Sequence, residues 1–571
     1  MAAIRSALVV DASVACFEPR AVFSALRIAM DALLIHPPAS KPAEPPLGVA
    51  VLLAHLRGQG FEADALDANL GAYLYLLDPQ RLAATAGEAP TTSLKRALRH
   101  APGALELLRS RRALDSFGRY STATRHLNEA LSVWRGAGEE RLTLGDYLHD
   151  GLSAFSPADL DKLSRGEAST LFSGYFREVL VPSVVECRPR IVGLSVNYRH
   201  QVLPAFELAG MLRRALPEAT LVAGGGMFSS WKATLARLSL RFSAFDRVVF
   251  GPGEASFSAL LRGAAPDGPF LEDGSEIAFA PDFGFARLGE YLSPRPVLPI
   301  SSSRGCYWRR CLFCPESAAP THPYRCAKAD SFASQLASLA RRYEVRHFHV
   351  TDNAVPLNVL RQLAAQASML EELSWHGFVR FEEALLDEGL VDRLARAGCS
   401  MLQLGLESGS QRVLDRLGKG TRLEVASGIL RNLERAGIEA YVYVMLGTPG
   451  ETEEDAEATL RFLEEHAGGI GFLNLAIMNL PRDARLLEKP GEYGIREAAL
   501  LAEEEPLGLY QSFEPEGDWG RTEARRFLNS RLLGSASIKQ IVNRTPPFFT
   551  SNHAFFFPSP KGQPQAAGES P

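Results

Sequence analysis

Two periodicities alternate along the chain. Short apolar runs of strand length are separated by stretches in which apolar residues recur every three to four positions, as on one face of a helix. Ala32–Ile35 predicts a first strand, closed by His36-Pro37-Pro38. After the proline-rich loop from Pro42 to Pro46, Leu47–Gly58 predicts a helix and Glu62–Leu66 a second strand. From about Ala72 to Pro182 strand signals nearly vanish, and a Leu/Ala/Arg-rich helical pattern takes over, as from Ser93 to Ala101. The alternation then resumes with strand Ile191–Val196, helix Pro204–Leu216, and strands Thr220–Ala223 and Arg247–Phe250. These last two strands run into Gly224-Gly225-Gly226 and Gly251-Pro252-Gly253-Glu254. Parallel strands with crossover helices imply a doubly wound, Rossmann-like domain, whose ligands sit at the carboxyl ends of its strands. That domain is expected over 1–71 and 183–263, interrupted by a helical insertion at 72–182.

A linker at 264–296 leads to a longer α/β pattern. Strands are predicted at Val297–Ser302, His347–Thr351, Leu373–Val379, Met401–Leu406, Ala440–Leu446 and Phe472–Ile477, with helical stretches between most of them. Six βα units in succession imply a full or partial TIM-type barrel at 297–480, with its chemistry at the strand carboxyl ends. Residues 481–557 read as a C-terminal extension, with one amphipathic helical stretch at Thr522–Asn543 and an aromatic end. Residues 558–571 read as a disordered tail.

Composition narrows the class. The 571 residues carry 61 Lys+Arg against 66 Asp+Glu, a formal charge of −5, so no basic nucleic-acid face is implied. No apolar run approaches the roughly 18–20 residues a bilayer-spanning helix needs. Seven cysteines, an odd and sparse count, argue against a disulfide scaffold and imply a reducing, cytoplasmic setting.

Three of those cysteines fall within nine residues, directly after the first barrel strand: Arg304-Gly305-Cys306-Tyr307-Trp308-Arg309-Arg310-Cys311-Leu312-Phe313-Cys314. Closely spaced thiolates on one loop suit a soft metal or an iron–sulfur cluster. A zinc knuckle with Cys326 as fourth ligand is the alternative.

This loop resembles that of the radical S-adenosylmethionine (SAM) superfamily, with Cys-x4-Cys-x2-Cys in place of the usual Cys-x3-Cys-x2-Cys. The resemblance spans about Val297 to Ile477. It implies a [4Fe-4S] cluster on Cys306, Cys311 and Cys314 that chelates SAM. It also places SAM contacts at successive strand ends: Asp352 and Asn353 in Val350–Asn353, Arg380 in Gly377–Arg380, Glu407 and Ser408 in Leu404–Gly409, and Gly447 in Met445–Thr452.

The doubly wound domain looks like the cobalamin-binding domain of one branch of that superfamily. The residues that carry this are Ile35–Pro38, Pro45–Gly48, Leu194–Asn197, Ala223–Gly226 and Gly251–Glu254. Gly48, Ser195, Asn197, Gly224, Gly225, Gly226, Gly253 and Glu254 are the implied cobalamin contacts. The Asp-x-His-x-x-Gly signature that places histidine beneath cobalt is absent from the sequence, and His36 reads as a turn residue.

The resemblance implies a cobalamin-dependent methyltransferase. It would act through a 5′-deoxyadenosyl radical on an unactivated carbon, or on phosphorus, of a small-molecule or natural-product substrate. An external electron donor of flavodoxin or ferredoxin type would reduce the cluster. A rearrangement, cyclisation or redox reaction without methyl transfer is the second expectation, and a non-catalytic cluster and cobalamin sensor the third. No catalytic side chain is legible. The aromatic segment Thr545 to Phe557 is expected to dock by its rings, or else to fold over the barrel mouth.

Overall fold

The computed structural model describes residues 30–559, apart from 88–89, 136–138, 275–279, 319, 321–322, 328 and 500. The expectations for residues 1–29, and for the tail beyond Ser559, lie outside the described residues. Two parallel sheets organise the rest. In the first, β1 (Ala32–His36), β2 (Ala63–Asp67), β3 (Ile191–Ser195), β4 (Thr220–Gly224), β5 (Arg247–Phe250) and β6 (Phe270–Glu272) lie in the order β2-β1-β3-β4-β5-β6. Every pairing is parallel. The order reverses at β1 and β3, and such a reversal opens a crevice between the loops at the strand carboxyl ends. β6 falls inside the segment read as a linker. It is only three residues long, too short for its pattern to stand out.

The second sheet is made of β7 (Val297–Ile300), β8 (His347–Val350), β9 (Ser374–Val379), β10 (Cys399–Glu407), β11 (Glu439–Leu446) and β12 (Phe472–Ile477). They lie side by side in chain order, with β7 and β12 as the two edges. This is the partial barrel, with helices outside. Alternation along each strand sorts the side chains: Phe348 and Val350 enter the core under the helices, whereas His349 stacks on His376 of the next strand.

The insertion is helical as expected, with helices Thr92–Leu108 and Phe117–Leu131 side by side and a short hairpin of Glu140–Leu142 and Tyr147–His149. It shares its core with the first sheet. Tyr73, Tyr120, Phe172 and Phe176 belong to one buried cluster with Val192, Phe206, Phe228 and Trp231. At Gly210, helix Arg199–Ala215 comes so close to the Ser164 carbonyl that a Cβ would run into it.

The single amphipathic helix read at Thr522–Asn543 is a broken one, with helical turns at Arg521–Phe527 and Leu528–Leu532 and then a helix at Ala536–Asn543. Gly534 marks the break, where a side chain would collide with the Ser530 carbonyl. Beyond it the aromatic tail docks by its rings at the amino ends of the barrel strands, away from the cysteine loop. Ala554 and Phe555 pack with Val297, Met401, Tyr441 and Phe472. Ser559 is buried and its N–H donates to Glu439 at 2.7 Å, so the tail read as disordered from 558 is anchored at least that far. Among the described residues no helix is long and apolar enough to cross a membrane.

The close approach at Gly210 has a measurable consequence. Gly210→Ala should destabilise the protein by about 1–3 kcal/mol through overpacking. Gly103→Ala, in an exposed helical position with nothing within 4 Å of the new Cβ, should gain about 0.5–1 kcal/mol. Opposite shifts of the thermal midpoint would establish this, and a neutral Gly210→Ala would contradict it.

Candidate active site

A cleft of about 730 Å³, partly open to solvent, lies at the carboxyl ends of β1, β3, β4 and β5. Gly48, Ser195, Asn197, Gly224, Gly225, Gly226 and Gly253 line it, together with Gly193, Val249, Gly251, Pro252, Phe257 and Arg304. Its glycine wall is required by geometry. Gly225 has φ 99°, and a Cβ there would lie 2.5 Å from the Val196 carbonyl oxygen. At Gly48, by contrast, a Cβ would meet nothing within 4 Å, so the backbone is bare to the cleft. Asn197 is fixed in place: its Oδ1 accepts from the Gly226 N–H at 3.0 Å and its Nδ2 donates to Ser195 Oγ at 3.2 Å. Bare backbone, apolar walls and a few fixed polar groups fit a large flat ligand with a polar periphery. His36 is no part of the wall. It is buried against Ser40 and Gln201.

The cysteine loop leaves the barrel at Ser303–Arg304, which pairs with Arg325–Cys326. Gly305, with φ 71°, turns the chain into the thiols. The loop is held along its length. Leu312 N–H donates to Leu417 O at 2.9 Å, Leu486 N–H donates to Leu312 O at 3.2 Å, and Ser317 Oγ donates to the carbonyls of Cys311 and Cys314. Burial pushes the thiols of Cys311 and Cys314 up, and the charges of Lys419 and Arg380 oppose this at Cys311. The three thiols act on one another electrostatically.

Cys326 stands apart from them. It lies beside Asn358, Tyr324 and Asp352. Among the described residues no three His, Cys, Asp or Glu side chains close on a single ion. The zinc knuckle therefore finds no support. A cluster in which each thiolate takes a different iron needs no such convergence, and three half-buried thiols beside cationic groups fit it.

The residues expected around SAM divide in two. Asp352, Arg380 and Ser408 are buried, and their polar atoms are taken up by the protein. Asp352 accepts from Ser302 N–H and Ser302 Oγ, both at 2.8 Å, and from Ser303 Oγ, so it clamps the root of the cysteine loop. Burial pushes its carboxyl up to about 6, against those donors. The Arg380 guanidinium lies 3.8 Å from the centroid of the Trp308 ring and donates to Lys419 O at 2.8 Å, so it braces the loop from above. Ser408 bonds to Thr459 and to the Ser410 N–H. Asp352 and Arg380 thus hold the cysteine loop, and Ser408 holds the turn that follows β10.

Glu407 and Asn353 remain at the surface of the site. Glu407 has φ 68°, at a slip in register between β10 and β11, and accepts from Lys419 Nζ at 2.6 Å. Gly447, with φ 71°, packs against Ala524 of the C-terminal extension, and Glu451 fixes its turn by accepting from the Gly447 and Thr448 N–H groups at 2.5 and 3.0 Å.

Glu254 sits behind the cleft. It is 1% exposed and lies outside the cleft wall. It accepts from Arg304 at 2.7 Å, and Arg304 reaches the cleft in its stead. Arg304 stands two residues before Cys306, so one ion pair joins the thiol loop to the cleft. Sequence reading missed Arg304 and Lys419, because nothing in a lone arginine or lysine announces a partner 50 or 12 residues away.

Glu451 offers a test of this turn. Burial pushes its carboxyl up to about 7, so the folded protein holds a proton there that the unfolded chain releases near the ordinary value of 4.5. Stability should therefore fall as pH rises from about 4.5 through 7, and Glu451→Gln should remove that part of the slope. Thermal midpoints of both proteins at pH 5 and pH 8 would check this. Parallel profiles would contradict it.

The comparisons agree with this geometry. Residues 300–463, from the end of β7 to the helix after β11, match the profile of the Radical SAM superfamily. An uncharacterized methyltransferase of Pyrococcus horikoshii is 23% identical over 303 residues, which are 48% of this chain and 64% of that protein. The cytidylyl-2-hydroxyethylphosphonate methyltransferase of Streptomyces wedmorensis is 26% identical over 382 residues, 56% of this chain and 69% of that protein. Among solved structures, the radical SAM methyltransferase TsrM of Kitasatospora setae, with tryptophan and a SAM analog bound, superposes with a TM-score of 0.52 at 16% identity, covering 90% of both chains. The cobalamin-dependent SAM radical enzyme OxsB superposes with a TM-score of 0.50 at 15% identity, covering 81% of this chain and 56% of that one. These superpositions establish a shared fold. The profile match, which spans the cysteine loop and the strands behind it, identifies residues 300–463 as a radical SAM domain.

Proposed function

We propose that this protein is a cobalamin-dependent radical SAM methyltransferase acting on a small molecule. One observation carries the reading. The Arg304–Glu254 pair makes a wall of the glycine cleft and the root of the three-cysteine loop parts of one surface. Cys306, Cys311 and Cys314 would hold a [4Fe-4S] cluster. The cleft from Gly48 to Gly253 would hold cobalamin. Glu407 and Asn353 would meet SAM, while Asp352, Arg380, Ser408 and Gly447 set the loops that surround it. When bound, these groups supply the electron, the carbon radical and the methyl donor.

The chain supplies placement. Asp352 fixes where the loop leaves the barrel, and Arg380 keeps Trp308 flat against it. The tail seals the far end of the strands and excludes water from that side. The names of the relatives that bind cobalamin or transfer methyl groups support this reading. An external donor of flavodoxin or ferredoxin type would deliver the electron, and the cytoplasm is the setting in which such a cluster persists.

Anaerobic reconstitution with iron, sulfide and hydroxocobalamin tests the two-cofactor reading. Uptake of about four irons per chain, together with cobalt, is expected. Cys306→Ala, Cys311→Ala or Cys314→Ala should each lose iron and keep cobalt. Gly225→Val should lose cobalt and keep iron, since its φ and the Val196 carbonyl forbid the side chain. Products that gain one methylene then mark methyl transfer. Products of unchanged carbon count would favour rearrangement or redox chemistry, and zinc in place of iron would sink the mechanism.

A further inference from the structure

The inside of the barrel carries a pair of side chains that the cofactor reading leaves unused. Glu44 stands on the proline-rich loop between β1 and helix Leu47–Gly58, in the first domain. His349 is the third residue of β8 and points inward. Glu44 Oε1 accepts from His349 Nδ1 at 2.8 Å, and the two side chains are 17% and 16% exposed. No protein group bonds to His349 Nε2 or to Glu44 Oε2 among the described residues, and neither atom is sealed from solvent. The imidazole therefore has one nitrogen fixed by a carboxylate and the other free. A carboxylate on Nδ1 selects the Nδ1–H tautomer and leaves Nε2 as an acceptor.

The surroundings hold this arrangement in place. The ring of His349 lies parallel to that of His376, at 4.6 Å and 8°, and His376 is stacked on Phe555 of the tail at 4.2 Å. Asn552, also from the tail, donates to Glu44 Oε1 at 3.5 Å and accepts from Lys41 Nζ at 3.4 Å. Other titratable groups face the pair. Burial keeps His376 well below the ordinary imidazole range, His347 at about 4 and His553 at about 3. Burial also lowers Lys41 to about 8 and raises Tyr198 and Tyr443. Tyr198 directly follows Asn197 of the cleft wall and feels the charge of Glu44, yet 56% of its surface is accessible. Tyr198 thereby links the pair to the cleft wall.

We propose that Glu44 and His349 form an acid–base dyad facing the substrate chamber, and that the substrate carries an O–H or N–H near the carbon that is methylated. The inference rests on the proposed function as a radical SAM methyltransferase. In the step, the X–H bond breaks, its electron pair stays on X, and the proton bonds to Nε2. The resulting imidazolium is stabilised by the Glu44 carboxylate, and the proton passes to water when product leaves. His349 is the catalytic residue. Glu44 acts through it and is a positioning residue, with Asn552 behind it.

The test uses the full-length chain without added cofactors, labelled with ¹⁵N-histidine, and long-range ¹H–¹⁵N correlation spectra assigned with H349Q. Neutral His349 should be the Nδ1–H tautomer, and Glu44→Ala should return it to the Nε2–H form. Diethyl pyrocarbonate should modify His349 at Nε2 while His376, fully buried, stays unmodified. An Nε2–H tautomer in the wild type, or a His349 as inert as His376, overturns the proposal. Neither readout depends on iron or cobalt, so failure of the dyad and failure of the cofactor reading are told apart. In the reconstituted enzyme turning over its substrate, His349→Gln should lower kcat about 10²–10⁴-fold, and wild-type turnover would overturn the catalytic role.

Discussion

The guanidinium–carboxylate pair between Arg304 and Glu254 is the constraint on which the site depends. Glu254 opens a helix in the first domain, and Arg304 opens the cysteine loop of the second. With the carboxylate 1% and the arginine side chain 16% exposed, neither charge can be left alone cheaply. Removal of one partner from such a buried pair typically costs about 3–5 kcal/mol, because the other charge stays desolvated. The two domains also meet elsewhere, as at Glu44–His349 and at Trp231, whose Nε1–H donates to Leu507 O, but these contacts do not touch the cysteine loop. The pair fixes the root of the cysteine loop against the glycine cleft.

Around that joint, polar residues at the strand ends hold the adjacent loops. Asp352 holds Ser302 and Ser303, Arg380 holds Trp308 and the Lys419 carbonyl, and Glu451 holds the Gly447 turn. Each is buried, and most of its partners are backbone or hydroxyl groups of the loop it holds. The logic is that of a supporting shell: loops that touch a reacting centre must be fixed to within a fraction of an ångström, by side chains of a neighbouring strand end, as at Asp352 and Arg380, or of the turn itself, as at Glu451. Placing the brace at the next strand end uses the stiffest element available.

The fold was legible because both periodicities were clean. Helix Leu47–Gly58, strand Arg247–Phe250 and strand Phe472–Ile477 stand where the pattern put them. The cleft glycines were legible for a related reason, since a strand that runs into three glycines announces a backbone that must come close to something. What escaped the sequence was pairing across distance. Glu254 read as a ligand contact because it ends a glycine motif, and only the fold brings Arg304 to it. Asp352 read likewise because it ends a strand, although its oxygens are satisfied by two serines some 50 residues earlier. The C-terminal helix read as one piece because amphipathic periodicity does not register a single close approach such as that at Gly534.

The barrel interior follows a different economy from the cores around it. His376 is fully buried, with neither ring nitrogen bonded, and an aliphatic side chain of similar size would be more stable there. Its geometry accounts for its presence. A ring at 4.6 Å and 8° from His349 restricts the plane of that imidazole, which has no hydrogen bond on Nε2 to do so. Phe555 restricts His376 in turn, so the order of one side chain at the chamber wall is set by a stack that begins in the C-terminal tail. Burial keeps His376 neutral, which avoids a second positive charge beside His349 when that ring takes up a proton. A neutral, rigid neighbour on the ring face and a carboxylate on Nδ1 suit a reversible proton acceptor. The tail closes the barrel and orders this stack through the same few residues.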